Sequence, residues 1–236
     1  MVGFNNRFSS AVQVLRDRIE RGDLGEITHV EANYVRRRGI PGRGTWFTSR
    51  EISGGGALID LGVHAIDLSL HLLEFPPIEE VTGVARSEFG SREEYAYLEM
   101  WGPDDGPDSF DVEDSASAFV RCANGRTISL EVAWATNRPA NHEFVVHGTE
   151  AGATFDLLEG DLTIHSASDG GVDHFEDVSI TTDSNDSHTA EQRAFFDAIA
   201  GDAEVHENVE HALSVQRVLD GIYRSSERER TVRINQ

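Results

Sequence analysis

Between residues 78 and 180 the chain breaks into short stretches with apolar side chains at alternate positions: 81–89, 115–121, 127–135, 143–147, 153–158 and 162–165. Alternation at this period puts one face of each stretch in a core and the other outside it. Turn-forming residues separate the stretches and no helical pattern intervenes. Parallel neighbours need long crossover connections, so such a series predicts a broad, mainly antiparallel sheet. Asn124-Gly125, between the second and third stretches, is a hairpin signal. Helical patterns sit on either side of this region. Before it lie 11–21, closing at Gly22, and 57–73, with a strand-like stretch at 27–35 between them. After it come 189–200 and 208–224, then a short strand at 231–234. The expectation is one α+β domain: a large open, mainly antiparallel β-sheet with helices packed on one face.

The charge balance removes several classes of partner and chemistry. Asp and Glu number 42 against 20 basic residues, a formal net charge of -22, which makes nucleic acid a poor partner. All the basic residues are Arg, so a P-loop lysine, a Schiff-base lysine and a lysine acid or base are excluded from this chain. Excess acid with Arg in place of Lys resembles the surface of proteins that work in concentrated salt, where ions screen crowded carboxylates. The single Cys122 lies in a strand-like run and reads as a small core residue. No apolar run reaches the roughly 18 residues that span a bilayer, and the first residues show no secretory h-region. The expected location is therefore the cytoplasm, with no membrane partner. The acidic segment 103–114 reads as a solvated loop, with irregular spacing for a calcium site.

Chemistry concentrates in residues 54–73. Three glycines, Gly54 to Gly56, precede a nearly all-apolar helical pattern in which Asp60, His64, Asp67 and His71 are spaced to share one face. Ionisable groups on an otherwise apolar, buried helix must find partners or open onto a cavity. Three readings follow: an acid–base pair in which Asp60 orients His64, a structural hydrogen bond between the two, or a metal site built on two His and two Asp. His71, near the helix end, reads as structural or surface. The triple glycine lacks the G-x-G-x-x-G dinucleotide fingerprint and no strand leads into it. In the Gly/Pro-rich loop 38–50, Trp46 is a candidate floor for an oxygen-rich ligand. Of the run Arg36-Arg37-Arg38, at most one or two side chains can face one pocket, with Arg36 and Arg38 as the candidates.

Five ordered motifs carry a family resemblance: Val2-Gly-Phe-Asn-Asn-Arg-Phe, Gly22-Asp-Leu-Gly-Glu-Ile, Gly54-Gly-Gly-Ala-Leu-Ile-Asp-Leu-Gly-Val-His-Ala-Ile-Asp, Val112-Glu-Asp-Ser-Ala with Asn124-Gly125, and the closing Tyr223-Arg-Ser-Ser-Glu-Arg-Glu-Arg-Thr-Val. Together they resemble the glucose-fructose oxidoreductase / inositol dehydrogenase / MocA family across essentially the whole chain. Members of that family join an N-terminal Rossmann domain, which binds NAD or NADP, to a C-terminal domain that holds substrate and forms oligomers. The resemblance implies that residues 1–236 are the second domain alone. It also implies that His64 is the base acting on a sugar or polyol hydroxyl, Asp60 its partner, and Asp67 a substrate contact. The family's third catalytic group, the lysine of a Glu-Lys-Pro motif in the nucleotide domain, has no counterpart here. The chain by itself is therefore expected to bind no NAD(P) and to need a separate Rossmann-domain polypeptide or a missing segment for activity. A homo-oligomer formed through an apolar sheet face is expected as well. The alternative is a non-catalytic sugar-binding or assembly protein that retains the fold.

Overall fold

A computed structural model of the chain describes residues 1–98, 101–183, 185–201 and 209–234. Helix α1 (Ser10–Glu20) buries Ala11, Val12 and Leu15, and Gly22, at φ 79°, supplies the left-handed residue that ends it. Strand β1 spans Ile27–Val35. After a loop, the short helix α2 (Arg50–Ser53) leads into a π-helical turn, Leu58–Gly62, which runs directly into α3 (Val63–Leu72). Strands follow at β2 (Ile78–Arg86), β3 (Ser115–Cys122), β4 (Thr127–Ala133), β5 (Glu143–Gly148), β6 (Ala151–Asp156), β7 (Leu162–Ser168) and β8 (His174–Ile180). Helices α4 (Ser187–Ala200) and α5 (Val209–Arg228) and the short β9 (Val232–Arg233) complete the described chain. The expected start of the last helix at residue 208 lies outside the described residues.

The nine strands form one sheet in the order β8-β7-β6-β5-β1-β4-β3-β2-β9. Every neighbouring pair is antiparallel except β1 with β4. That exception follows from the sequence order: α2, α3 and the β2–β3 hairpin lie between the two strands and supply the crossover that parallel pairing needs. One face of the sheet is core. Val30 and Ala32 of β1, Ile128, Leu130 and Val132 of β4, and Phe144 and Val146 of β5 are all buried there. Helix α3 packs on β1 and β4, and α5 packs on β2. The α+β expectation therefore holds. Asn124 and Gly125 turn at φ 63° and 77°, the left-handed pair that a tight hairpin requires. Cys122 is buried, and burial pushes its thiol up to about 11.

Several boundaries differ from expectation for physical reasons. The predicted strand 81–89 stops at Arg86 because the Asp114 carboxylate accepts the backbone N–H groups of Phe89 and Gly90 at 2.6 and 3.0 Å, drawing that segment out of the sheet. Strand β4 ends at Ala133, two residues short of the expected 135, although the N–H of Trp134 still donates to the Asp114 carbonyl and Ala135 bridges Arg38. Strand β8 had no separate sequence signal: it pairs only with β7, and none of its residues is buried. The acidic stretch 103–114 is not uniformly solvated, since Glu113 and Asp114 are buried. The open sheet face is also not the apolar surface expected. It presents His29, Glu31, Asn33, Ser117, Ser129 and Glu131, with Phe119 and Val84 as exposed apolar side chains. Among the described residues no helix is long and apolar enough to cross a membrane.

Candidate functional site

The three glycines that introduce the helical segment are used for turning and for close packing. Gly54, at φ 80°, ends α2. A Cβ at Gly55 would lie 2.0 Å from the Tyr223 hydroxyl oxygen, and one at Gly56 would lie 2.1 Å from the Glu113 carbonyl oxygen. Glu113 then anchors the start of the helical segment. Its Oε1 accepts the N–H of Gly56 at 2.7 Å, the N–H of Leu58 at 3.1 Å and the Tyr223 hydroxyl at 2.8 Å. A carboxylate suits this end, where free N–H groups and the helix dipole favour negative charge. The sequence reading missed Glu113 because it assigned the acidic stretch to solvent; the motif Val112-Glu-Asp-Ser-Ala was the available signal.

The π-helical turn decides how the ionisable stripe is presented. It widens the backbone between Leu58 and Gly62, so Asp60 and His64 are not stacked as in a regular α-helix. Asp60 Oδ2 accepts the indole N–H of buried Trp134 at 2.8 Å and stands 3.9 Å from an Arg36 guanidinium nitrogen. The Arg36 guanidinium lies 4.9 Å from the Trp101 ring centre and 5.9 Å from that of Tyr34. Asp60 and His64 share no hydrogen bond, so the structural pairing and the direct orienting contact are both replaced by an electrostatic relation across the turn.

His64 lines a cavity of about 610 Å³ with Asn5, Asn6, Tyr34 and His188. Its Nδ1 is buried without a hydrogen-bond partner. Burial holds the imidazole below the usual histidine range; the Asp60 charge opposes that shift and His188 adds to it. His64 is therefore neutral near neutral pH and able to accept a proton. In a histidine NMR titration its midpoint is expected below 6.5, and Asp60→Asn is expected to lower it further, because the opposing negative charge is removed. A midpoint at or above the ordinary histidine value would contradict this account of the site.

The other predicted site residues lie elsewhere. Asp67 is 1% exposed, and its carboxylate is held by Arg7: Nε donates to Oδ2 at 2.9 Å and a second guanidinium nitrogen donates to Oδ1. The Arg7 guanidinium is flanked by the Phe4 and Phe75 rings at 5.0 and 4.9 Å. Burial raises the Asp67 carboxyl to about 6 against the pull of Arg7. The Asp67 oxygens, which the resemblance offers to a substrate, serve a core ion pair here. Arg38 donates to the Thr136 carbonyl and the Asn137 side chain and lies over Phe89, which ties it to the chain just beyond the ends of β1 and β4 rather than to the His64 cavity. Trp46 is 57% exposed, stacks on Phe47 at 3.8 Å, and does not line that cavity. His71 lines a separate cavity with Arg16 and His211. Asp60, His64, Asp67 and His71 do not converge, and among the described residues no group of His, Cys, Asp and Glu could hold a metal ion.

A neutral, half-buried imidazole thus lies at a polar cavity, with a carboxylate on the preceding turn of a sheet-and-helix domain. Residues 12–154 match the family model described as the GFO/IDH/MocA C-terminal domain, and the chain belongs to the GFO/IDH/MocA family. It is 29% identical over 226 residues to D-glucoside 3-dehydrogenase of Escherichia coli, covering 95% of this chain and 61% of that protein. It is 37% identical over 158 residues to a putative UDP-kanosamine synthase oxidoreductase subunit of Amycolatopsis mediterranei, covering 66% of this chain and 43% of that protein. Levoglucosan dehydrogenase in complex with NADH and levoglucosan superposes with a TM-score of 0.80 at 26% identity, over 100% of this chain and 66% of that one. The chain therefore spans less than two thirds of the length of these relatives. The Gly54–Gly56 run does not fit a phosphate cradle: the space at Gly55 and Gly56 is filled by Tyr223 and Glu113, and no strand leads into the run.

Proposed function

We propose that this chain is the substrate-holding portion of an NAD(P)-dependent dehydrogenase acting on a sugar or polyol, with His64 as the general base. The observation that supports this most directly is the neutral His64 imidazole at the cavity wall, kept unprotonated by burial. His64 takes the proton of a substrate hydroxyl, and the Asp60 carboxylate favours the imidazolium that forms. Arg36, 3.9 Å from Asp60, places a positive charge beside that carboxylate. The redox half of the reaction belongs to a nucleotide-binding segment that the described residues do not form, carried either by the same polypeptide or by a partner chain. Self-association through the open sheet face would rely on Phe119 and Val84 as its apolar anchors.

The absence of lysine, with the Gly54–Gly56 run packed against Tyr223 and Glu113, favours a second reading, a sugar-binding module without chemistry of its own. One experiment separates the two. Joined to a nucleotide-binding domain of the family, the chain is expected to support NADH formation from a glycoside. His64→Asn should then lower kcat by about 10²–10⁴-fold while leaving NADH affinity unchanged. An unaltered kcat in that variant removes the base assignment. Absence of any turnover, with sugar binding intact, favours the binding module.

A further inference from the structure

The cavity in front of His64 is informative about the charge of its occupant. Its volume of about 610 Å³ falls within the range of small-molecule sites. Half-buried Tyr34, Leu157 and Ile180 give it an apolar floor, and Asn5 and Asn6 bring amides. The β6–β7 turn adds Glu159 and Asp161, and the segment after β8 adds Asp183; all three are exposed on its rim. Among the described residues no arginine lines it, and the chain has no lysine.

Two helix N-termini open onto this cavity, the usual alternative to a cation for holding a phosphate. At each of them one N–H is already taken by a side chain of the protein itself. At α4 the Asp186 carboxylate accepts the His188 N–H at 3.1 Å. At α1 the Asn185 carbonyl accepts the Ser10 N–H at 3.0 Å. The remaining candidate cations are His64 and His188, and burial keeps His64 neutral. The net charge of -22 adds a long-range field that disfavours approach of anions.

We infer that this cavity takes an uncharged polyhydroxylated ring and rejects its phosphorylated counterpart, with Asp161 and Asp183 accepting hydrogen bonds from ring hydroxyls and setting that selectivity. The inference rests on the His64 cavity being the substrate site. Its chemistry is that of carbohydrate recognition: carboxylate and amide acceptors for hydroxyl groups, beside an apolar floor for the C–H face. A phosphate would face carboxylates with no cation to offset them, and like charges in a partly enclosed site are costly.

The test uses the whole chain with labelled histidine at about pH 8, where imidazoles are neutral. Methyl glucoside and myo-inositol, and the monophosphates of each, are titrated while the His64 resonance is followed. The neutral ligands are expected to shift it saturably, and the phosphates to bind at least about tenfold more weakly. In the double variant Asp161→Asn/Asp183→Asn that ratio is expected to shrink, mostly through tighter binding of the phosphates. Equal or tighter phosphate binding to the unaltered chain overturns the charge selectivity and leaves the site assignment standing. A ratio unchanged in the double variant overturns the role of the two aspartates. If neither neutral ligand moves His64 in the folded, unaltered chain, the site reading fails and this inference fails with it.

Discussion

Replacing Arg7 by Met is expected to destabilise the chain by about 3–5 kcal/mol, the range found when one partner of a buried ion pair is removed. The cost comes mainly from Asp67, which is 1% exposed and has no other counter-ion in contact among the described residues. The double variant Arg7→Met/Asp67→Leu removes both charges and is expected to recover most of the loss, since an apolar pair of similar volume suits a site walled by Phe4 and Phe75. Urea denaturation measures both. A single variant within about 1 kcal/mol of the parent would show that water or a rearranged neighbour satisfies Asp67. The pair joins the segment before α1 to the middle of α3, one turn beyond His64. Its loss should therefore also disturb the His64 environment.

Glu113→Ala carries the second large effect. The substitution leaves the N–H groups of Gly56 and Leu58 and the Tyr223 hydroxyl without their acceptor, in a region where Glu113 is only 3% exposed. An orphaned buried donor costs about 1–3 kcal/mol, so the expected loss is about 3 kcal/mol or more. Glu113→Gln keeps an amide oxygen at the same place and should cost clearly less, because the acceptor survives and only the charge is lost. Denaturation of the two variants side by side decides the matter. Equal losses for Ala and Gln would mean that the charge, acting on the helix N-terminus and Arg50, matters more than the hydrogen bonds. The π-helical turn bearing Asp60 starts beside these bonds, so their loss should reach the candidate base through the backbone.

Much of the sheet can be read from the chain. Strands β1, β3, β4 and β5 begin where the alternating pattern places them, because each buries one face and exposes the other. The pattern fails where burial fails: β8 at the edge of the sheet has no buried face to leave a trace in its sequence. It also fails where a side chain captures backbone, as Asp114 does at Phe89 and Gly90. In the candidate site, the helical spacing of Asp60, His64, Asp67 and His71 is visible in the residues, and so is their isolation among apolar neighbours.

Which of those four faces a ligand is not visible there. Asp67 looks equivalent to Asp60 along the helix, yet Arg7, sixty residues earlier, reaches only one of them. Trp134 and Arg36 come to Asp60 from adjacent parallel strand ends, and His188 comes to the His64 cavity from beyond β8. The local chain carries period and residue type, and these suffice for an α+β sheet, a buried helix and a stripe of ionisable groups on it. Roles within the stripe depend on partners distant in sequence. A carboxylate or imidazole takes its charge state and its freedom from the groups that fold against it and from how much water they leave.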